Sequence, residues 1–119
     1  MATDPAAMPA VVPEAPTIHE ATLASGPSGA VIRGAEIVLA TAIARRQAGL
    51  NVVVCGNDHQ ANSDLAQQIE RAIGPYLRGT PHRKLAGPRA MPHFQQVDRT
   101  HLGHTFYETA NRRAARRQP

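Results

Sequence analysis

The chain has 119 residues with a formal net charge of +4 at neutral pH and one cysteine. A single cysteine excludes an intramolecular disulfide, and no apolar run approaches the roughly 20 residues that a membrane-spanning helix needs, so no membrane partner is expected. Residues 71–119 hold ten basic and two acidic side chains, whereas residues 1–70 hold three basic and seven acidic ones. This asymmetry predicts that the C-terminal part binds a polyanion, with nucleic acid the favoured partner.

Three regions are predicted along the chain. Residues 1–28 are rich in alanine and proline and are expected to form a disordered leader. They contain no signal peptide pattern, so the protein is expected in the cytoplasm, or delivered into the cytoplasm of a target cell. The folded domain is predicted over residues 29–110, and residues 111–119, with four arginines, are predicted to form a basic tail.

Two helices are predicted in the domain. The first is expected over residues 30–48, where apolar residues recur on one face and a glycine follows the last turn. The second is expected from about residue 58 to 73, with Asn57 as the capping residue. Ile69 belongs to the predicted apolar face of this helix, and Glu70 to its polar face.

The remaining elements are short strands. The β-branched run at residues 50–55 predicts a central strand that is covered on both faces. Further strands are predicted at 76–78, 93–97 and 105–108, the last two as a hairpin, and a long loop rich in glycine and proline is predicted at 79–92. The expected fold class is α+β, with two helices packed on a small, mainly antiparallel sheet.

Three histidines in the basic part are the predicted catalytic residues: His82, His93 and His104. Imidazole titrates at a pH of about 6.5, so two rings beside one phosphodiester can exchange protons with it at neutral pH. RNA carries its own nucleophile, the 2′-hydroxyl, and a basic side chain can stabilise the charge that develops on phosphorus. Such a site needs no metal and no cofactor.

Four further residues are predicted to bind the substrate. Lys84, Arg83 and Arg89 would hold phosphate groups, and Tyr107 would donate a hydrogen bond. Together with the histidines, they predict a ribonuclease that needs no metal, uses general acid/base catalysis and prefers RNA as its partner.

Strand alternation leaves one point of this site open. If the apolar residue between them faces the core, His93 and Gln95 share the outer face of their strand. His104 has the same parity as Phe106. Either Phe106 lines the site or Tyr107 is the core residue.

Two other functions fit the same residues. A metal-dependent nuclease would use the histidines with Asp98 or Glu108 as ligands, although no His-x-His or Cys-x-x-Cys spacing places two ligands on one element. A non-catalytic module would use the same charges to bind nucleic acid or protein. Cys55, at the end of the central strand, is interpreted as a small buried hydrophobe rather than as a nucleophile.

The histidines lie in three short motifs: Pro81-His82, Pro92-His93-Phe94-Gln95 and Gly103-His104-Thr105-Phe106-Tyr107-Glu108. This series resembles the C-terminal toxin domains of bacterial polymorphic toxin systems, of the type associated with Rhs/YD-repeat proteins, over about residues 50–108. The resemblance implies a toxin that acts inside a target cell, most often as a nuclease, with a cognate immunity protein as its partner. The catalytic residues that it implies are the same three histidines.

Overall fold

The computed structural model describes residues 15–79, 87–98 and 101–118. In chain order, these residues form β1 (Thr17–Leu23), β2 (Val31–Ile37), α1 (Leu39–Gln47), β3 (Asn51–Cys55), α2 (His59–Arg71), β4 (Tyr76–Gly79), β5 (His93–Gln96) and β6 (Thr105–Tyr107). Within these ranges, neither helix has the length and apolar character required to cross a membrane.

All six strands belong to one sheet, with the order β2-β1-β3-β6-β5-β4. Only β3 and β6 are parallel, and the other neighbours are antiparallel. The predicted α+β class, with two helices on a mainly antiparallel sheet, is therefore confirmed. β3 lies inside the sheet and four of its five residues are buried, as its β-branched composition predicted. The predicted hairpin is also present, because β5 pairs with β6.

The two faces of the sheet are covered in different ways. Both helices pack on one face, here called the helical face, over a core of Ile18, Ala42, Val52, Val54, Ala66, Ile69, Phe94 and Tyr107. The other face, here called the loop face, has its own core of Ala21, Val31, Val53, Cys55, Met91 and Phe106. Met91 comes from the segment before β5, and Ala114 of the C-terminal segment also packs there. Irregular chain therefore covers the loop face.

The first predicted helix is wrong in its N-terminal half. Val31–Ile37 is strand β2, and the helix begins only at Leu39. β2 pairs with β1 over most of its length, and the apolar stripe that predicted the helix begins only at Ile37. β1 itself lies within the predicted leader, so the folded part begins before residue 29. Residues 1–14 lie outside the described residues.

The predicted basic tail is part of the fold. Ala115 donates its backbone N–H to Val31 and accepts from Arg33, with N–O distances of 2.7 and 2.8 Å. These bonds place Ala115 beside the outer edge of β2 as an isolated parallel bridge with Ile32. The boundary predicted at residue 110 is therefore wrong, because the C-terminal segment continues the hydrogen bonding of the sheet.

Helix α2 begins at His59, one residue later than a helix capped by Asn57 would begin. Asp58, rather than Asn57, caps it, and its Oδ1 accepts from the backbone N–H groups of Gln60 and Ala61 at 3.0 and 3.2 Å. The prediction that Glu70 lies on the polar face is wrong, since this side chain is fully buried.

Glu70 is buried because it forms an ion pair with Arg46 of α1. Both side chains are fully buried, and Arg46 Nε lies 2.6 Å from Glu70 Oε2. Glu70 also accepts hydrogen bonds from Gln96 of β5 and Thr105 of β6, while Arg46 Nη1 donates to the carbonyl of Leu102 at 2.6 Å. A buried ion pair is tolerated only when further hydrogen bonds satisfy both groups. This network joins both helices to β5, β6 and the turn before β6.

The ion pair leads to a stability prediction. Arg46→Met leaves the Glu70 carboxylate buried without its cation, so we expect a loss of about 3–5 kcal/mol in the free energy of unfolding, measured with denaturant. Arg45→Met is the matched control, because Arg45 is partly exposed and lies 3.7 Å from Glu20. This control should lose only about 1 kcal/mol. Equal losses in the two variants would show that the buried pair has no special role.

Candidate functional site

His93 and His104 meet on the loop face. His93 is the first residue of β5, and His104 immediately precedes β6, which pairs with β5 in antiparallel register. The ring centroids are 4.4 Å apart and the ring planes make an angle of 71°. Two of the three predicted catalytic residues are therefore in direct contact, and His82 lies outside the described residues.

Both alternatives left open by strand alternation are correct, because Phe106 and Tyr107 lie on opposite faces of the sheet. Phe106 lines the site, because its ring centroid lies 5.6 Å from that of His93 and 5.4 Å from that of His104. Tyr107 is a core residue on the helical face, fully buried with its ring stacked on Phe94 at 5.3 Å. The prediction that Tyr107 binds substrate is wrong, because adjacent residues of a strand point to opposite faces.

Gly79 and Met91 fix the orientation of the His93 ring. Gly79 is the partner of His93 in the pairing of β4 with β5. A Cβ atom at Gly79 would meet Nε2 of His93 first and would lie 2.7 Å from its Cδ2 and Cε1, so the ring covers the glycine backbone. His93 Nδ1 lies 3.3 Å from the Met91 carbonyl. A carbonyl can only accept, so a hydrogen bond here requires a proton on Nδ1.

The backbone of His104 is held by β3 and, indirectly, by the buried ion pair. Its N–H donates to Asn51 Oδ1 at 2.8 Å, and its carbonyl accepts from Val52 at 3.2 Å. The preceding Gly103 has a φ of +87°, and a Cβ atom there would lie 2.7 Å from Arg46 Nη1. Only glycine fits this turn without strain, and the turn directs His104 toward His93.

The histidine pair lines a cleft of about 410 Å³. His93, His104 and Gln95 supply polar groups to its lining, and Leu23, Met91 and Phe106 are among its apolar residues. The turn between β1 and β2 forms a wall of the cleft. A smaller recess of about 140 Å³ adjoins it and shares Gln95 and His104. Small ligands bind in concave sites of this kind, where a few polar groups converge beside apolar walls.

Basic residues lie beside the wall that the β1–β2 turn forms. Arg89 is exposed, and its backbone N–H donates to Ser28 of that turn at 2.7 Å. Gln118 exchanges two hydrogen bonds with Ser25 of the same turn, which places exposed arginines at 116 and 117 near it. The role of Arg89 in binding substrate stays a prediction. Arg116 and Arg117 were predicted to lie in a basic tail, and the hydrogen bonds of this segment place it beside the same turn.

The other predicted substrate-binding residues, Arg83 and Lys84, lie outside the described residues. Cys55 is buried, as interpreted from the sequence. Burial, and secondarily the nearby Glu108 carboxylate, raises the pKa of its thiol to about 11. The thiol therefore stays protonated at neutral pH and is a poor nucleophile. Among residues 15–79, 87–98 and 101–118, no group of three or more metal-ligating side chains is placed to hold a metal ion.

Comparison of the chain with protein-family models, with curated proteins and with solved structures finds no match. The resemblance to polymorphic-toxin domains therefore stays a prediction.

The contact between Gly79 and His93 leads to a prediction about ring position. Gly79→Ala places a methyl group where the His93 ring lies, so we expect the ring to rotate away from His104 at a cost of about 1 kcal/mol in stability. Nuclear Overhauser contacts between the two imidazoles measure this displacement. Gly34→Ala is the matched control, since a Cβ atom there lies no closer than 3.5 Å to its neighbours. Ring contacts that survive Gly79→Ala would contradict this packing.

The burial of Tyr107 leads to a second prediction. Its hydroxyl has no hydrogen-bond partner among the residues that the structure describes, and an unsatisfied buried hydroxyl costs about 1–3 kcal/mol. Tyr107→Phe should therefore leave the melting temperature unchanged or raise it, and should leave any activity of the cleft unchanged. A fall in activity without a fall in stability would restore Tyr107 as a donor to substrate.

Proposed function

We propose that this protein is a toxin-type endoribonuclease that needs no metal and uses His93 and His104 for general acid/base catalysis. The observation that carries the proposal is the contact of the two imidazoles, 4.4 Å apart between centroids, in the lining of the cleft. Groups that titrate near neutral pH and lie side by side can act on one phosphodiester as base and acid. The toxin role comes from the resemblance of the motifs, which also suggests an immunity protein as partner.

The packing of the rings constrains how a substrate would bind. Because the imidazoles touch, a phosphate does not fit between them and has to lie across both from the cleft. Two protonated imidazoles in contact repel each other, so the doubly protonated pair is disfavoured. The Met91 carbonyl engages Nδ1 of His93, so we assign the role of base to Nε2, which lies over the Gly79 backbone. His104 is then the acid.

The proposed reaction is a transesterification. His93 accepts the proton of the 2′-hydroxyl while the 2′-oxygen forms a bond to phosphorus. The bond from phosphorus to the 5′-oxygen breaks, and His104 gives that oxygen its proton. The products are a 2′,3′-cyclic phosphate and a 5′-hydroxyl, so charge and protons balance without a metal or a cofactor.

The exposed arginines support a polyanionic substrate. Arg89, Arg116 and Arg117 lie near the β1–β2 turn, so phosphates that flank the scissile one can meet positive charge there. Contacts of this kind raise affinity without reading sequence, and they weaken as salt concentration rises. The cytoplasm of a target cell, where RNA is abundant, is the place where such an activity would be toxic.

Cleavage of a labelled single-stranded RNA, with and without chelator, tests the proposal. We expect equal rates in both conditions, and a fall in kcat/KM of about 10²–10⁴-fold in His93→Ala and in His104→Ala. His59→Ala is the matched control, because His59 is exposed at the start of α2, on the helical face, and its variant should keep full activity.

Each other outcome contradicts the proposal in a different way. Loss of cleavage with chelator would favour a metal-dependent nuclease. Retention of RNA without cleavage would favour a binding module that uses the same arginines. Circular dichroism of each variant separates loss of chemistry from loss of folding.

A further inference from the structure

We propose that Gln95 and the apolar lining of the cleft form a subsite for one nucleobase of single-stranded RNA, beside the histidine pair. This inference rests on the proposed ribonuclease function and specifies its substrate. It identifies Gln95 as a specificity residue rather than as a catalytic one.

Gln95 lies beside the histidine pair with its side-chain amide available to a ligand. It lies two residues after His93 on β5, so both side chains are on the loop face, and it lines both the cleft and the adjoining recess. Gln95 is half-buried, and its side-chain amide makes no hydrogen bond to the described residues. Its neighbour Gln96 differs, because it is buried and donates to both the carbonyl and the carboxylate of Glu70. The Gln95 amide can therefore pair with a ligand.

The side-chain amide of Gln95 has the chemistry to recognise a nucleobase. A glutamine side chain presents a donor next to an acceptor, and this pair matches the polar edge of a nucleobase in a bidentate contact. Leu23 offers apolar surface to a face of the same base, and Met91 and Phe106, which are almost fully buried, form the apolar floor of the cleft. Leu23 is 57% exposed, so a base that binds there covers apolar surface that is otherwise in water.

The shape of the cleft determines the class of RNA. A base reaches this cleft only when it is unstacked and unpaired, which is how proteins read single-stranded RNA. The adjacent imidazoles then meet the phosphodiester attached to the same nucleotide. Binding of the base would thus place the scissile bond over His93 and His104.

Four short single-stranded RNAs that differ only at the base beside the scissile bond test this subsite. We expect kcat/KM of the natural protein to differ by about 10- to 100-fold between the best and the worst base, the range of one good bidentate contact. Gln95→Leu should reduce this spread to less than about 3-fold, mainly by slowing the best substrate. Gln68→Leu, at an exposed position of α2, is the matched control and should keep the preference.

A binding measurement separates this proposal from the ribonuclease proposal. The four nucleoside 5′-monophosphates bind without being cleaved, and NMR titration reports their affinity for the natural protein and for Gln95→Leu. A base preference in binding that Gln95→Leu abolishes supports the subsite, even if no RNA is cleaved. Equal cleavage of all four RNAs, or a preference that survives Gln95→Leu, overturns the subsite and leaves the nuclease intact. Absence of any monophosphate binding also overturns it.

Discussion

Arg46 and Glu70 bring a positive and a negative charge together in the core between the two helices and the sheet. Removing two charges from water costs several kcal/mol for each ion, and this cost is offset only where hydrogen bonds satisfy both groups. Here the partners are Gln96 at the end of β5 and Leu102 in the turn before β6. Both lie within three residues of a histidine of the candidate site. The ion pair thus holds the two chain segments that carry the imidazoles.

The buried ion pair and the candidate site lie on opposite faces of the sheet. The helical face contains the ion pair and the larger aromatic core, including Tyr107. The loop face carries His93 and His104, because strand alternation directs every second side chain there. Irregular segments cover that face, and this leaves a cleft that two helices would have filled. Arg116 and Arg117 lie near the β1–β2 turn because Ala115 pairs with the edge of β2 and Gln118 bonds to Ser25.

The elements predicted correctly from the sequence are those that neighbouring residues determine. The apolar β3, the helix α2 and the β5–β6 hairpin follow from composition, turn residues and alternation, whereas the contact of His93 with His104 was left open by alternation. β1 and β2 were missed because the composition of residues 1–28 indicated a leader, and because the helical stripe that begins at Ile37 was extended back over the strand Val31–Ile37. The burial of Glu70 was also missed, since a carboxylate is buried only beside a cation, and Arg46 is 24 residues away in the chain.

The chemistry of the cleaved ends tests the central claim most directly, because it reports how the bond breaks. A short RNA, and the same RNA with one 2′-deoxynucleotide before a preferred cleavage bond, would be treated with the protein in the presence of chelator and analysed by mass spectrometry. The account predicts 2′,3′-cyclic phosphate and 5′-hydroxyl ends in the first RNA, and no cleavage after the deoxynucleotide in the second. Cleavage after the deoxynucleotide, or products with 5′-phosphate ends, would contradict it, because water rather than the 2′-hydroxyl would then be the nucleophile.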